Sequence, residues 1–394
     1  MATPRHGREP AGRFRRRRVL TAVGLVVVLV VAWVGISVGS FIANPAYGTS
    51  VSARLAEWAR EHGAGGMVTS IEQWWYSHHP PATGGQPSKG TIPTGQGVVA
   101  MAGHLPAPPP VVPPASPPLP GEGVWHPVGR SVDGSPAILR SVVRVDAVHT
   151  GYVAAIAWMD TSLLKPTLYS GSFIPGGGPY HYSAPISARA ATTLVSAFNA
   201  GFRMQDANGG YYTDGRMVLP LRNGAASFVI YKSGSSTVGK WGRDVTMNPA
   251  VAQVRQNLDL IVDGGRPAPG LSNSANTNWG ATLGGGVYVW RSGLGVTKTG
   301  ALVYVGGPAL SITSLADLLI RAGAIRAMEL DINTDWVQYS TFAYPPGGAA
   351  SAANGTPLLS SMVSSPARYF ESWFNRDFLT MSARPTPVPV KAPN

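Results

Sequence analysis

ALVYVGGPALSITSLADLLIRAGAIRAMELD, residues Ala301–Asp331, decides the fold. Ala301–Gly307 reads as a buried strand that stops at two glycines. Ser314-Leu315-Ala316-Asp317 has the Ser/Thr-x-x-Asp/Glu form of a helix N-terminus. Leu315, Leu318, Leu319 and Ala322 then repeat at helical spacing as one apolar stripe, and Gly323 stands where a helix ends. From Ile325 the chain is extended again. Strand, helix, strand in this order predicts a right-handed crossover joining two parallel strands.

The second strand runs into RAMELDINTDWVQYS, Arg326–Ser340. The chain has only 19 acidic residues in 394, yet Glu329, Asp331 and Asp335 fall together here. Side chains alternate along a strand, so Met328, Leu330 and Ile332 share one face and Glu329 and Asp331 the other. Ligands gather at the carboxyl ends of parallel strands in open sheets, which makes this a predicted site. The structural alternative is loop capping, or pairing with Arg291, Arg321 or Arg326.

Other strand-like runs surround this unit: Val142–His149, Gly151–Met159, Ala226–Lys232 and Leu258–Gly265. Helices are few and no repeat is visible. The expected fold class is α+β, a mixed β-sheet core with few helices, over residues 124–383.

Outside that block the composition shifts. Seven of the chain's arginines lie in residues 1–18, which carry half of the net charge of +12. The rest of the chain has no basic stripe, which excludes nucleic acid as the partner. Residues 19–42 contain no charge and are long enough to cross a bilayer, so they predict a membrane anchor with a cytoplasmic N-terminus. A cleaved signal peptide is the competing reading, but its apolar core is ordinarily only about 7–15 residues. Gly35-Ile36-Ser37-Val38-Gly39 spells a nucleophile elbow inside this apolar run, where no strand-to-helix turn exists, so the match is chance. Residues 43–79 carry two short helical patterns. Residues 80–123 are rich in Pro and Gly and predict an extended spacer. Residues 384–394 predict a disordered Pro-rich tail. With no cysteine, the exported part has no disulfide to lean on. Sequence leaves the oligomeric state open.

Several segments together resemble the phosphodiester glycosidase domain family. AFNAGFRM, with Asn199, Gly201 and Phe202, is similar to its Asn-Gly-Gly-Phe-Phe segment. RSGLGVTKTGALVYVGG, with Arg291 and Gly295, is similar to its Arg-x-x-x-Gly segment. SLADLLIRAGAIRAMELD, ending at Asp331, is similar to its helix and hydrophobic-Leu-Asp segment. The family continues with Gly-Gly-Gly-Ser-Ser, where this chain has Ile332-Asn333-Thr334-Asp335-Trp336. The resemblance implies a hydrolase acting on a sugar phosphodiester or related glycan of the cell envelope. The alternative is a non-catalytic domain that binds glycans or proteins on the same scaffold.

Glycosyl cleavage ordinarily uses one acid and one carboxylate base or nucleophile. Under the implied reaction Asp331 and Glu329 are the catalytic candidates, their mutual charge splitting their roles. Arg291 binds phosphate or orients a carboxylate, and Asn199, Gly201 and Asn333 line the substrate. Asp263, in IVDGG, is a further substrate-binding candidate, though an Asp-Gly turn accounts for it too. No cofactor is expected. Asp331-x-Asn333-x-Asp335 copies the first ligand positions of a calcium loop, but Trp336 stands where glycine is required and Phe342 where glutamate is, which excludes an EF-hand and leaves only a looser Ca²⁺ site. No zinc signature appears, and His126, His149 and His181 read as structural or surface residues. Gly234–Lys240 matches a phosphate-binding loop by letters, but Trp241 replaces the Ser/Thr and a hairpin fits better.

Overall fold

A computed structural model describes residues 11–95, 97, 104–272, 279 and 287–385. The expected disordered tail therefore lies outside the described residues from 386 onward. The chain divides into two compact units, Met1–Gly65 and Gly66–Asn394.

The first unit holds α1 (Ala11–Ala43) and α2 (Val51–Ala59). Within α1, Arg16–Ala43 contains an 18-residue window of mean hydropathy 2.8 and is long and apolar enough to cross a membrane, a property it shares with signal sequences. Ser50 caps α2 by accepting from the Ala53 amide at 3.1 Å. Arg54 of α2 donates to the Ile42 carbonyl at 2.6 Å and the Gly48 carbonyl at 2.8 Å, occupying acceptors that the end of α1 leaves open. Trp58 donates to Ser37 Oγ at 2.9 Å, and the His62 ring lies 5.7 Å from that of Trp33. Helix α2 thus turns back along the last turns of α1.

In the second unit, α3 (Gly65–His78) is followed by β1 (His126–Pro127), β2 (Ser131–Val132), β3 (Ser135–Pro136), β4 (Ile138–Arg144), β5 (Val153–Met159) and β6 (Leu164–Tyr169). Next come α4 (Ala188–Ala191), β7 (Leu194–Asn199), β8 (Tyr211–Thr213), β9 (Arg216–Leu219), β10 (Ala226–Tyr231) and β11 (Ser236–Lys240). Then come β12 (Val251–Gln256), β13 (Leu260–Asp263), β14 (Arg266–Pro267), β15 (Val289–Thr297) and β16 (Leu302–Leu310). The unit closes with α5 (Ile312–Arg321), β17 (Ala324–Ile332), β18 (Tyr339–Phe342), β19 (Gly355–Pro357) and β20 (Phe378–Ala383).

An eight-stranded sheet has the order β1-β4-β5-β16-β15-β17-β13-β14. Two five-stranded sheets have the orders β11-β10-β12-β8-β9 and β19-β18-β7-β20-β6. The α+β class stands: the unit is mostly sheet with few helices. The strand–helix–strand unit forms with one amendment. β16 and β17 run in the same direction, but β15 lies between them and pairs antiparallel with both. The sheet is therefore antiparallel where two parallel neighbours were expected. Glycines are the local reason for the close fit. A Cβ on Gly293 would meet Leu319 Cδ1 at 2.9 Å, so a bare backbone lets α5 lie on β15. The helix also begins one turn before the expected cap. Ser311 accepts from the Ser314 amide at 3.1 Å and Ser314 Oγ accepts from the Ser311 amide at 2.9 Å. That start brings Ile312 into the core, and Asp317 pairs instead with Arg321 at 2.6 Å.

Both faces of the large sheet are buried. Leu315, Leu318 and Leu319 of α5 cover one face with Val143, Ile156 and Val305. Val142, Tyr304 and Met328 on the other pack with Phe198, Leu168 and Phe228 of the smaller sheets. The Pro-rich segment is not the extended spacer its composition predicts. Leu105, Val111 and Trp125 join the helix-side core, and the Val111 amide donates to the Gly123 carbonyl at 2.9 Å. Buried Glu122 grips Arg144 of β4 at 2.9 Å, and Arg144 also donates to the Ala115 and Pro117 carbonyls. Apolar residues spaced among the prolines give the segment a core to join, which a solvated polyproline spacer lacks.

Candidate functional site

Three chain segments bring the site together: the end of β7 with Asn199–Arg203, the end of β17 with Asp331–Trp336, and Asn375–Asp377 before β20. Their placement depends on a bulge. Gly293 pairs with Glu329, but Arg291 pairs with Ile332, so β17 carries an extra residue against β15. An extra residue breaks the period-two alternation, and Glu329 and Asp331 go to different partners.

Glu329 and Arg291 are both 0% exposed, and Arg291 Nη1 donates to Glu329 Oε1 at 2.5 Å. The other guanidinium nitrogens of Arg291 donate to the Leu310 and Val287 carbonyls. Glu329 Oε2 has no hydrogen-bond partner among the described residues. Burial, opposed by Arg291, pushes the Glu329 carboxyl up to about 7. Glu329 and Arg291, expected with Asp331 at the reacting centre, are thus placed as a buried internal pair.

Asn199 is likewise committed. Its Oδ1 accepts from the Tyr304 hydroxyl at 3.0 Å and the Gln338 amide at 3.1 Å. Its Nδ2 donates to the Ala200 carbonyl and to Ser292 Oγ, each at 2.9 Å. An amide side chain has two donors and two acceptor positions, so no capacity is left for a sugar hydroxyl. Ser292 passes the order on by donating to the Asp331 carbonyl at 2.7 Å, while the Asp331 amide donates to the Ala200 carbonyl at 3.0 Å. Asn199 is thus linked to Asp331 through Ser292 and Ala200. Gly201 is needed for close approach, since a Cβ there would meet Asn257 Oδ1 at 2.8 Å. Asn257 in turn accepts from the Phe202 amide and donates to the Glu329 carbonyl, tying this loop to β17.

Asp331 is 6% exposed. Its Oδ1 accepts from the Ile332 amide at 2.9 Å, and its Oδ2 lies 3.7 Å from Arg376 Nη1. The Arg376 guanidinium stands over the Trp336 ring at 4.2 Å, and that of Arg368 lies 5.2 Å from the same ring. Arg368 also donates to the Asp335 carbonyl at 2.8 Å. Behind Arg376, Asp377 binds Arg255 at 2.6 Å in a second buried pair, and Arg255 reaches the Phe202 carbonyl. Asn375 Oδ1, and Gln338 Oε1 just beyond Trp336, are buried oxygens without a hydrogen-bond partner among the described residues.

The remaining candidates lie apart from these contacts or serve the turn. Asp263 sits in an Asp-Gly-Gly hairpin and binds Arg243 at 2.7 and 2.8 Å. It pairs across from Arg326, which lies about 17 Å along β17 from Asp331 at the usual strand rise. Asn333 has φ +87° and accepts from the Asp335 amide at 3.1 Å, which makes it the hinge of the turn that carries Trp336. Among the described residues no group of three or more His, Asp or Glu side chains could hold a metal ion. Asp331, Asn333 and Asp335 occupy one turn. Sequence reasoning missed Arg376, Trp336, Arg368 and Ser292. The Arg376-Asp377 pair in a charge-poor chain was the available signal for the third segment.

No family model matches this chain, and no curated protein does. Among solved structures it is similar to the zebrafish N-acetylglucosamine-1-phosphodiester alpha-N-acetylglucosaminidase catalytic domain auto-inhibited by its pro-peptide, at 16% identity and TM-score 0.41, over 66% of this chain and 88% of that one. A hypothetical protein from Synechocystis matches at 11% identity and TM-score 0.34, over 66% and 64%. A putative exported protein from Burkholderia pseudomallei matches at 14% identity and TM-score 0.31, over 59% and 74%.

Proposed function

We propose that this protein is a membrane-anchored, extracytoplasmic hydrolase that cleaves a sugar phosphodiester or related glycosidic bond in cell-envelope glycans. The observation that carries the reading is a carboxylate, Asp331, held 3.7 Å from a guanidinium that rests on an indole face. Asp331 is the reacting carboxylate, as nucleophile or base. Arg376 and Arg368 receive the anionic phosphodiester, because a planar guanidinium matches phosphate oxygens. Trp336 offers an apolar wall to the sugar ring. A glycosyl transfer between two carboxylates requires a second acid, and Asp335 on the same turn takes the role once assigned to Glu329.

The test is sugar release from phosphodiester-linked glycosides by the full chain in detergent. Asp331→Asn lowers kcat by roughly 10²–10⁴-fold, the range for losing one acid–base group. Arg376→Met raises KM for charged substrates more than for neutral glycosides. Glu329→Gln retains turnover. Full activity in Asp331→Asn would sink the assignment.

A second reading has one specific observation in its favour. Ile332, Asn333 and Thr334 stand where the resembling family has glycines, and Asp331, Arg376 and Trp336 expose no more than 7% of their surface. Glycan binding without turnover across the same substrates would establish that non-catalytic reading.

A further inference from the structure

Helix α3 carries an apolar face that nothing among the described residues of its own unit covers. Met67, Ile71, Trp74 and Trp75 are 60%, 56%, 56% and 53% exposed. At 100° per residue these four fall within an arc of about 100°, one continuous stripe. His78 lies on the same stripe, its ring 4.8 Å from Trp74, and His79 stacks on Trp75 at 3.8 Å. Val68, by contrast, is 8% exposed and faces inward. The helix has a single charged residue, Glu72.

The first unit indicates where α3 begins. Because α2 turns back along α1, Trp58 meets Ser37 and His62 meets Trp33. The chain therefore reaches Gly65 beside the last turns of the apolar helix and not above them. A 20-residue span of about 30 Å beginning at residue 19 ends near Val38, so this exit lies at the bilayer boundary. Indoles and imidazoles, with an apolar body and a polar tip, prefer that boundary to either water or hydrocarbon.

We infer that the Met67–Ile71–Trp74–Trp75 face of α3 lies in the headgroup region of the outer leaflet of the membrane that holds α1. The inference rests on the anchor reading above. It gives the second unit another attachment to the membrane, just ahead of the strands that carry the site. With one acid and no lysine or arginine on α3, the attachment is apolar and aromatic, so added salt leaves it in place.

The chain has no cysteine, which allows single labelled positions. Ile71→Cys, Trp74→Cys, Trp75→Cys, Val28→Cys and Val363→Cys are made separately in the full chain. Each is labelled with an environment-sensitive dye and reconstituted into phosphatidylcholine–phosphatidylglycerol vesicles containing nitroxide lipids. Dyes at 71, 74 and 75 are expected to shift to the blue and lose most of their emission to shallow nitroxides, in low and high salt alike. The dye at 363 is expected to be unaffected. Quenching at 28 by deep nitroxides with none at 71, 74 or 75 overturns the inference and leaves the anchor standing. Quenching at neither overturns both. Quenching at 71–75 without quenching at 28 refutes the anchor and, with it, the placement of α3 beside a membrane-held α1. Oxidative cross-linking of Trp75→Cys between copies in place of quenching shows a second chain on this face and also overturns the inference.

Discussion

Glu329 exemplifies what one buried carboxylate does to the molecule. Its folded-state pKa of about 7 lies above its ordinary 4.5, so the folded chain holds the proton more tightly than the unfolded chain. The associated stability is fully present below pH 4.5 and is lost as the pH rises through about 7. Glutamine keeps an acceptor for Arg291 Nη1 and carries no charge to desolvate. Glu329→Gln is therefore expected to match the wild type at pH 5 and to exceed it at pH 8 by about 1–3 kcal/mol, read as the denaturant midpoint of the full chain in detergent. A variant less stable at pH 8 than at pH 5, relative to wild type, would show Arg291 outweighing burial. At this scale the sequence was half legible. Clustered acids in a charge-poor chain marked the turn where Asp331 sits. Alternation then put Glu329 beside it, because the β-bulge that separates them is a property of the pairing with β15. Arg376 was out of reach for a similar reason, since its place depends on β20 pairing with β7, far away in the chain.

At the scale of elements, periodicity succeeded where local sequence carries the signal. Helix α5 shows its apolar stripe in four residues, and its strands show their runs. Composition failed for residues 80–123, where prolines predict an extended spacer whatever the chain packs against. The segment is held by Glu122, which is 7% exposed and binds both the side chain and the amide of Arg144. Removing one partner of a buried pair leaves the other charged and unpaired, at a cost of roughly 3–5 kcal/mol. Glu122→Ala is expected to lower stability by that order and to open residues 104–123 to protease. Adding Arg144→Met removes the stranded charge, and the double variant is expected to regain much of the loss. Glu122→Ala as protease-resistant as wild type would mean the prolines and Trp125 hold the segment without the ion pair.

On the scale of the whole molecule, charge and hydropathy define a direction. Half of the net charge of +12 lies ahead of an apolar helix, and positive residues are retained on the cytoplasmic side during insertion. Under the proposed function that asymmetry directs the β-sheet unit outward, toward the glycans proposed as its substrate. His6→Cys and Val363→Cys, the latter 51% exposed, give one reporter on each side of the helix. In intact cells a membrane-impermeant maleimide is expected to label Val363→Cys, and to label His6→Cys only after permeabilisation. Labelled Val363→Cys recovered in the medium, free of the N-terminal residues, would make α1 a cleaved signal sequence and take away the membrane that α3 is inferred to contact. Labelling in the reverse order would put the sheets in the cytoplasm and remove envelope glycans from reach, leaving the Asp331–Arg376 site to act on a soluble sugar phosphate.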